Sequence, residues 1–275
     1  MALIACGQFS ATNDVLANLK ICRSLAARAA AAGAKALFLP EASDYISSSP
    51  AEGLTLLPQS TTLFLPGLCL AASTHSLSII AGIHAPSSSP DLVRNTLVYI
   101  STTGLVSHSY NKLHLFDITL PSLTLRESAS TEAGSSITPP IATPFGRLGL
   151  QICFDLRFPE TARALVNQGA EILAYPSAFT VPTGRAHWEV LLRARAVEGQ
   201  CYVVAAAQGG RHNEKRVSWG GAMVVSPWGE VLGRCKEGEE AGEPEICLAE
   251  VDLGLVHRVR VECPLRRRTD VYAEL

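Results

Sequence analysis

Arg147-Leu148-Gly149-Leu150-Gln151-Ile152-Cys153-Phe154-Asp155-Leu156-Arg157-Phe158-Pro159-Glu160 is the stretch from which the rest of the chain can be read. Leu148, Leu150 and Ile152 alternate with small or polar residues, the period of a strand with one face in a core. Cys153 falls where that run ends. Pro159 occupies the place of a first helical residue, and the pattern predicts a short helix over Thr161 to Gln168 that Gly169 stops. A cysteine at the C-terminal edge of an α/β strand is placed to act as a nucleophile. Backbone N–H groups of the turn can hold an oxyanion, and nearby positive charge favours the thiolate. A cysteine in an apolar strand can equally be a small buried hydrophobe.

The 275 residues are 47% hydrophobic, enough for one large α/β core or two smaller ones. A net charge of −2 with 17% charged residues gives no electrostatic case for a nucleic acid or an anionic membrane as partner. The eight cysteines include no C-x-x-C pair, so neither a zinc site nor a disulfide framework is expected. H-E-x-x-H, Walker and G-x-G-x-x-G sequences are absent as well, and no metal or cofactor is expected. The chain enters Leu3-Ile4-Ala5-Cys6 without a basic leader, and no apolar run is read as approaching membrane-spanning length. The expectation is a soluble protein of a reducing compartment.

Upstream, Ala2 to Phe9 reads as a buried strand, and Asn13 or Asp14 caps a helix over Val15 to Ala32. Ala36 to Leu39 is a second strand, stopped by Pro40-Glu41. Ser43 to Ser60 reads as loop and Thr61 to Ser76 as helix. Ser78 to Ala85 is a strand, and Asn95 to Ile100 with Leu105 to Tyr110 form a hairpin. Leu113 to Phe145 shows little periodicity and is read as a long loop. Downstream come a strand at Ile172 to Tyr175, a helix over His187 to Glu198 and a strand at Tyr202 to Ala207. Met223 to Ser226, Val231 to Cys235 and Ile246 to Val251 complete the strands, and a short helix begins at Leu253. Alternating strands and helices argue α/β, and the hairpins make the sheets mixed. Gly33 to Ala42 can be laid over Gly169 to Ala178 with glycine, alanine, leucine, proline and alanine in register. Two related halves would bring Glu41 and Ser177 to one rim.

A carboxylate directly after a buried strand and a proline is poorly solvated, so the Glu41 pKa is expected to rise, which suits a general base. The alternative is a helix-capping or solvated acid. Lys112 ends a hairpin strand, where an edge lysine kept for solubility is the alternative. With Cys153 the two make chemical sense. A carboxylate takes the thiol proton as attack begins, and an ammonium, helped by the Phe154 backbone N–H, offsets the charge developing on the carbonyl oxygen.

Leu39-Pro40-Glu41, Tyr110-Asn111-Lys112-Leu113-His114 and Gly149 to Glu160 resemble, in order, the three signatures of the nitrilase superfamily of carbon–nitrogen hydrolases. That resemblance implies one α/β domain over residues 1–275, a four-layer α-β-β-α sandwich with two mixed sheets. It implies Glu41 as base, Lys112 as oxyanion-stabilising residue, Cys153 as nucleophile, and Glu127 as a second glutamate holding Lys112 and substrate; a loop acid is the alternative for Glu127. Tyr175 to Thr180, His187 to Ala196, Gln200 to Gln208 and Pro227-Trp228-Gly229 are similar to the Nit branch. The branch implies an amidase acting on a small-molecule amide with a 2-oxoglutaryl group. Such an amide forms when glutathione's amino group becomes a ketone; 2-oxoglutaramate is the alternative, and a non-enzymatic binding role a further one. The 2-oxo acid calls for a cationic clamp, for which Arg157 is the candidate, against a salt bridge to Asp155 or Glu160. Phe154, Phe179 and Thr183 are further substrate-binding candidates, although Thr183 can simply start the next helix. The run His187 to Ala196 resembles a dimer-forming helix, so a homodimer is expected, located in the cytoplasm and, as an extension, the mitochondrion.

Overall fold

Ala2–Phe9, Ala36–Phe38 and Ser78–Pro86 form the parallel centre of one sheet in the computed structural model, which describes residues 1–120 and 123–273. The order across it is Val217–Trp219, Ala207–Arg211, Ala2–Phe9, Ala36–Phe38, Ser78–Pro86, Val93–Ile100 and Val106–Asn111. Glu245–Val251 pairs antiparallel with Ala2–Phe9, with Cys6 opposite Cys247. A second mixed sheet runs Val231–Arg234, Met223–Val225, Tyr202–Ala205, Ile172–Ala174, Gly146–Leu150 and Ile141–Thr143.

The central strands are apolar at nearly every position, Gln8, Ser78 and His84 being the exceptions, because both their faces are covered. Ile4, Cys6, Ala36, Phe38 and Ile80 face the second sheet, in one cluster with Leu148, Leu150 and Ile172. Their chain neighbours Ala5, Leu37, Leu39, Ile79 and Ala81 face the other way, against Leu19, Cys22 and Leu25 of the helix Val15–Ala31 and Leu68 of Leu65–His75. On the far side, Pro159–Asn167 and Val181–Gly199 supply Leu165, Leu192 and Ala196 to the second sheet. Gly149 lets the layers pack closely there, since a side chain at that position would come within 2.8 Å of Leu173 and 3.1 Å of Leu165 and make both leucines shift. The result is the α-β-β-α order.

Asp14 caps the first helix through the Ala17 N–H at 2.9 Å. Several expectations are corrected. Residues 43–60 are not all loop: a helix starts at Pro50, capped by Ser49, which accepts from the Glu52 N–H. Ser49-Pro50-Ala51-Glu52 has the S-x-x-E spacing of a capping box, masked by the surrounding serines. That helix continues through a wider turn at Ser60–Phe64 to His75. It runs for 26 residues, and an 18-residue stretch of it has a mean hydropathy of 1.3, so by length and composition it could cross a membrane, contrary to the sequence expectation. Here Phe64, Leu68, Ala71 and Ala72 are buried against the first sheet's helical layer. The expected loop 113–145 holds a hairpin, Asp117–Leu120 with Leu123–Arg126, and short strands at Thr131–Glu132 and Ile141–Thr143. Its residues 121 and 122, like 274 and 275 of the tail, lie outside the described residues. The helix expected from His187 begins at Val181, with Pro182 in its first turn.

The strand expected over 202–207 is divided between the sheets. Ala205 pairs with Met223 in the second, whereas Ala207 pairs with Gln8 in the first, so the chain changes layers at Ala206. Gln208 fastens the crossing: its N–H donates to Ser177 O at 2.8 Å, and its side-chain Nε2 to Glu41 O at 2.9 Å. Glu41 and Ser177, matched in the internal echo, thereby share a rim.

Just beyond this crossing, His212 is buried between Ala11 O, 2.8 Å from Nδ1, and the Ser218 hydroxyl, 2.8 Å from Nε2. Burial, reinforced by Arg216, lowers its pKa to about 4. An unfolded histidine binds a proton below about pH 6.5 that the folded one refuses down to about 4, so stability falls on acidification through that window. The expected loss is about 3 kcal/mol. Urea titrations at pH 7 and 4.5 measure it, and His212→Asn, which keeps a donor toward Ala11 O, should flatten the dependence; an equal slope in the variant would refute the assignment.

Candidate active site

Glu41 follows the strand Ala36–Phe38 by three residues, and the backbone there is held from both sides. Leu39 N donates to Ile80 O at 2.7 Å, Gly82 N to Pro40 O at 3.1 Å, and Ser43 N to Gly82 O at 2.8 Å. A Cβ at residue 82 would lie 2.5 Å from Glu41 Cα, so only glycine lets the two segments touch. Lys112 is placed by its neighbour strand: its N–H donates to Asn95 O at 2.9 Å, and its carbonyl accepts from Gly134 N at 2.8 Å. Glu127 opens a turn directly after the strand Leu123–Arg126. Cys153 sits just past Gly146–Leu150 in the left-handed region, φ 45°, with its N–H on Pro176 O at 3.0 Å. A non-glycine residue in that conformation is strained and persists only where its surroundings over-determine it.

These four side chains meet. The Lys112 ammonium lies 2.8 Å from Glu41 Oε1, and 3.2 and 2.9 Å from the two oxygens of Glu127. Glu127 Oε2 also accepts the Phe116 N–H at 2.7 Å. The Cys153 thiol and the Glu41 carboxylate are close enough to influence each other's ionisation. Burial alone would push the Glu41 pKa up, the direction expected from sequence; the Lys112 charge and hydrogen bond outweigh it and hold Glu41 below the usual carboxylate range. Burial likewise opposes the Lys112 charge, but Glu127 and then Glu41 keep the ammonium well above its ordinary pKa. The Cys153 thiol is pushed up, first by burial and then by the Glu41 charge, against the sequence expectation that nearby positive charge favours thiolate. The resting site therefore holds a thiol, an ionised carboxylate and an ammonium, so proton loss from sulfur must accompany attack.

The further candidates are distributed around this centre. Phe154 packs edge-on against Phe116 at 5.0 Å and Phe158 at 5.6 Å. Arg157 makes no salt bridge to Asp155 or Glu160; its Nη2 lies 2.9 Å from His187 Nδ1, and its guanidinium carbon 5.7 Å from the Phe179 ring centroid. Its Nε is buried without a hydrogen-bond partner among the described residues. Phe179 leans on Trp188 at 4.8 Å. Thr183 lies in the first turn of Val181–Gly199, its hydroxyl 2.9 Å from that of Thr180, so it serves the helix start.

Sequence reasoning missed Asn95. Its Nδ2 donates to Glu41 Oε1 at 2.7 Å and to Glu127 Oε1 at 3.0 Å, holding both carboxylates with one neutral group. The signal was present: Asn95 has the same parity as Leu97 and Tyr99, which face the inter-sheet core. A polar residue at an inward position of a buried strand demands partners.

A thiol, an acid and an ammonium gathered at the rim of a four-layer sandwich define a class of thiol hydrolases. Residues 2–261 match the carbon-nitrogen hydrolase family, and the chain belongs to it, within the nitrilase superfamily. More narrowly, it is 45% identical over 276 residues to the probable hydrolase nit2 of Schizosaccharomyces pombe, covering 99% of each chain. It is 46% identical over 282 residues to the deaminated glutathione amidase of Bos taurus, covering 100% of this chain and 84% of that one. The solved NitFhit protein of C. elegans superposes with a TM-score of 0.93 at 41% identity, over 98% of this chain and 66% of that one. The chain is an amide-hydrolysing enzyme.

Proposed function

We propose that this enzyme cleaves deaminated glutathione to 2-oxoglutarate and cysteinylglycine through an acyl-enzyme on Cys153. The observation that carries the mechanism is the buried Glu41–Lys112–Glu127 cluster facing the thiol. Glu41 takes the thiol proton as sulfur attacks the amide carbon, and the Lys112 ammonium, with the Phe154 N–H, offsets the charge on the carbonyl oxygen. Collapse breaks the C–N bond, and Glu41 returns the proton to the departing amine. Water then gives Glu41 a proton and attacks the thioester; collapse expels sulfur, which recovers that proton, and releases the acid.

The substrate reading draws on the Bos taurus relative, and on Arg157, a cation with no carboxylate partner beside the nucleophile's turn. His187, its pKa lowered by burial and by Arg157, stays neutral and accepts from the guanidinium, leaving the positive charge for a substrate carboxylate. Arg157→Gln is expected to raise KM for 2-oxoglutaryl amides by roughly 10- to 100-fold while kcat changes by about threefold or less. Product analysis with deaminated glutathione and 2-oxoglutaramate side by side tests the substrate. Faster release of ammonia from the second would make the small amide the true substrate, and an unchanged KM in the variant would remove the clamp.

The reading includes a homodimer through Val181–Gly199, whose Val190 and Val197 lie exposed beside an exposed Trp228. It also includes a cytoplasmic location, extending to the mitochondrion, in keeping with eight free cysteines.

A further inference from the structure

Asp155 is fully buried, and its carboxylate makes four hydrogen bonds, two to each oxygen. Oδ1 accepts from the His114 backbone N at 3.0 Å and lies 2.8 Å from His114 Nδ1. Oδ2 accepts from the Tyr110 hydroxyl at 2.7 Å and from the Ile152 N–H at 2.9 Å. Tyr110 and His114 stand two residues before and two residues after Lys112; Ile152 immediately precedes Cys153. One carboxylate thus grips the chain on both sides of the ammonium and at the entrance to the strained cysteine turn. The grip is rigid. The His114 ring is stacked on Phe158, centroids 3.6 Å apart and planes 11° apart, and burial with the Asp155 charge keeps the Tyr110 phenol protonated and donating.

We infer that Asp155, acting through Tyr110, His114 and Ile152, is a positioning residue that sets the spacing between the Cys153 sulfur and the Lys112 ammonium. This rests on the roles proposed above for Cys153 and Lys112. The left-handed conformation of Cys153 needs external restraint, and its N–H bond to Pro176 ties it only to its own sheet. Lys112 arrives from the opposite sheet, at the end of Val106–Asn111. Asp155 spans the two. A buried carboxylate satisfied four times over is a stiff spacer, because releasing any partner leaves a buried polar group unpaired.

Asp155→Asn turns one acceptor oxygen into a donor facing N–H or O–H groups, and it is expected to lower kcat about 100-fold with KM within about threefold, the signature of misplacement. Alkylation of Cys153 by iodoacetamide, followed by peptide mass, should slow about tenfold in the same variant. His114→Ala should lose about tenfold in kcat, and His114→Asn, whose amide restores a donor at the Nδ1 position, should recover most of that loss. A purely structural role would instead lower the folded fraction and leave activity per folded molecule unchanged. The inference is overturned if folded Asp155→Asn keeps kcat and Cys153 alkylation within about twofold of the parent. It is equally overturned if His114→Asn does no better than His114→Ala, a comparison that decides the matter should Asp155→Asn fail to fold. Failure of the underlying mechanism looks different: Cys153→Ala would then turn over normally and the parent thiol would carry no acyl group.

Discussion

Replacing Cys153 by alanine is expected to lower turnover by on the order of 10⁴-fold or more, with the fold intact. The side chain is small, and alanine meets the same left-handed backbone cost as cysteine, so φ 45° at this position penalises both alike. Removing sulfur deprives Glu41 of the proton it is poised to take and deprives the acyl group of its attachment. Substrate should still bind, because Arg157, Phe179 and the aromatic wall around Phe154 are untouched. Calorimetry with the amide and intact-mass detection of a thioester in the parent, absent in the variant, form the measurement. Turnover within tenfold of the parent would end the thiol mechanism.

The second large effect belongs to Lys112→Met. The ammonium is buried and shared by Glu41 and Glu127, so removing it leaves two carboxylates with only neutral donors, the Asn95 amide and the Phe116 N–H. Breaking a buried ion pair by deleting one partner costs about 3–5 kcal/mol. Loss of an oxyanion-stabilising donor should reduce kcat by about 10²- to 10³-fold at the same time. The pH dependence should invert. In the parent, Glu41 sits below its unfolded pKa, so its contribution is present above about pH 4.5 and disappears as pH falls through the folded value. Without Lys112, burial raises the carboxylates instead, and stability is regained as one of them takes up a proton in acid and lost as pH rises. Urea midpoints at pH 5 and pH 8 distinguish the two; parallel behaviour would mean that Lys112 does not govern the cluster.

Much of this was legible in the chain because the central strands are covered on both sides and so read as continuous apolar runs, from Leu3 to Cys6 and from Ala36 to Leu39. Glu41, Lys112 and Cys153 could be picked out because each stands at a strand end, where a reactive side chain can leave the core. What escaped was set by distant partners. The sign of the Glu41 pKa depends on an ammonium 71 residues away, which no local pattern reports. Asn95 looked like an ordinary strand position, and Asp155 like a turn acid, until the opposite sheet supplied their partners. Helix Pro50–Gln59 was hidden by serines and prolines that also suit a loop, and the paired strands Asp117–Leu120 and Leu123–Arg126 by their shortness, four residues each, within a segment of little periodicity. The Thr183 hydroxyl is engaged by Thr180 at its own helix start, a partner that its place before a helix made legible.

The change of layer at Ala206 constrains how this protein can drift in length. Since Ala205 and Ala207 are registered in different sheets, an inserted or deleted residue between them would slide the half carrying the cysteine past the half carrying the glutamate. The tip at residues 213–215, where Glu214 and Lys215 are exposed, pairs with neither sheet. Descendants of this chain should therefore vary freely in length at that tip and hold the spacing from Ala205 to Gln208 fixed.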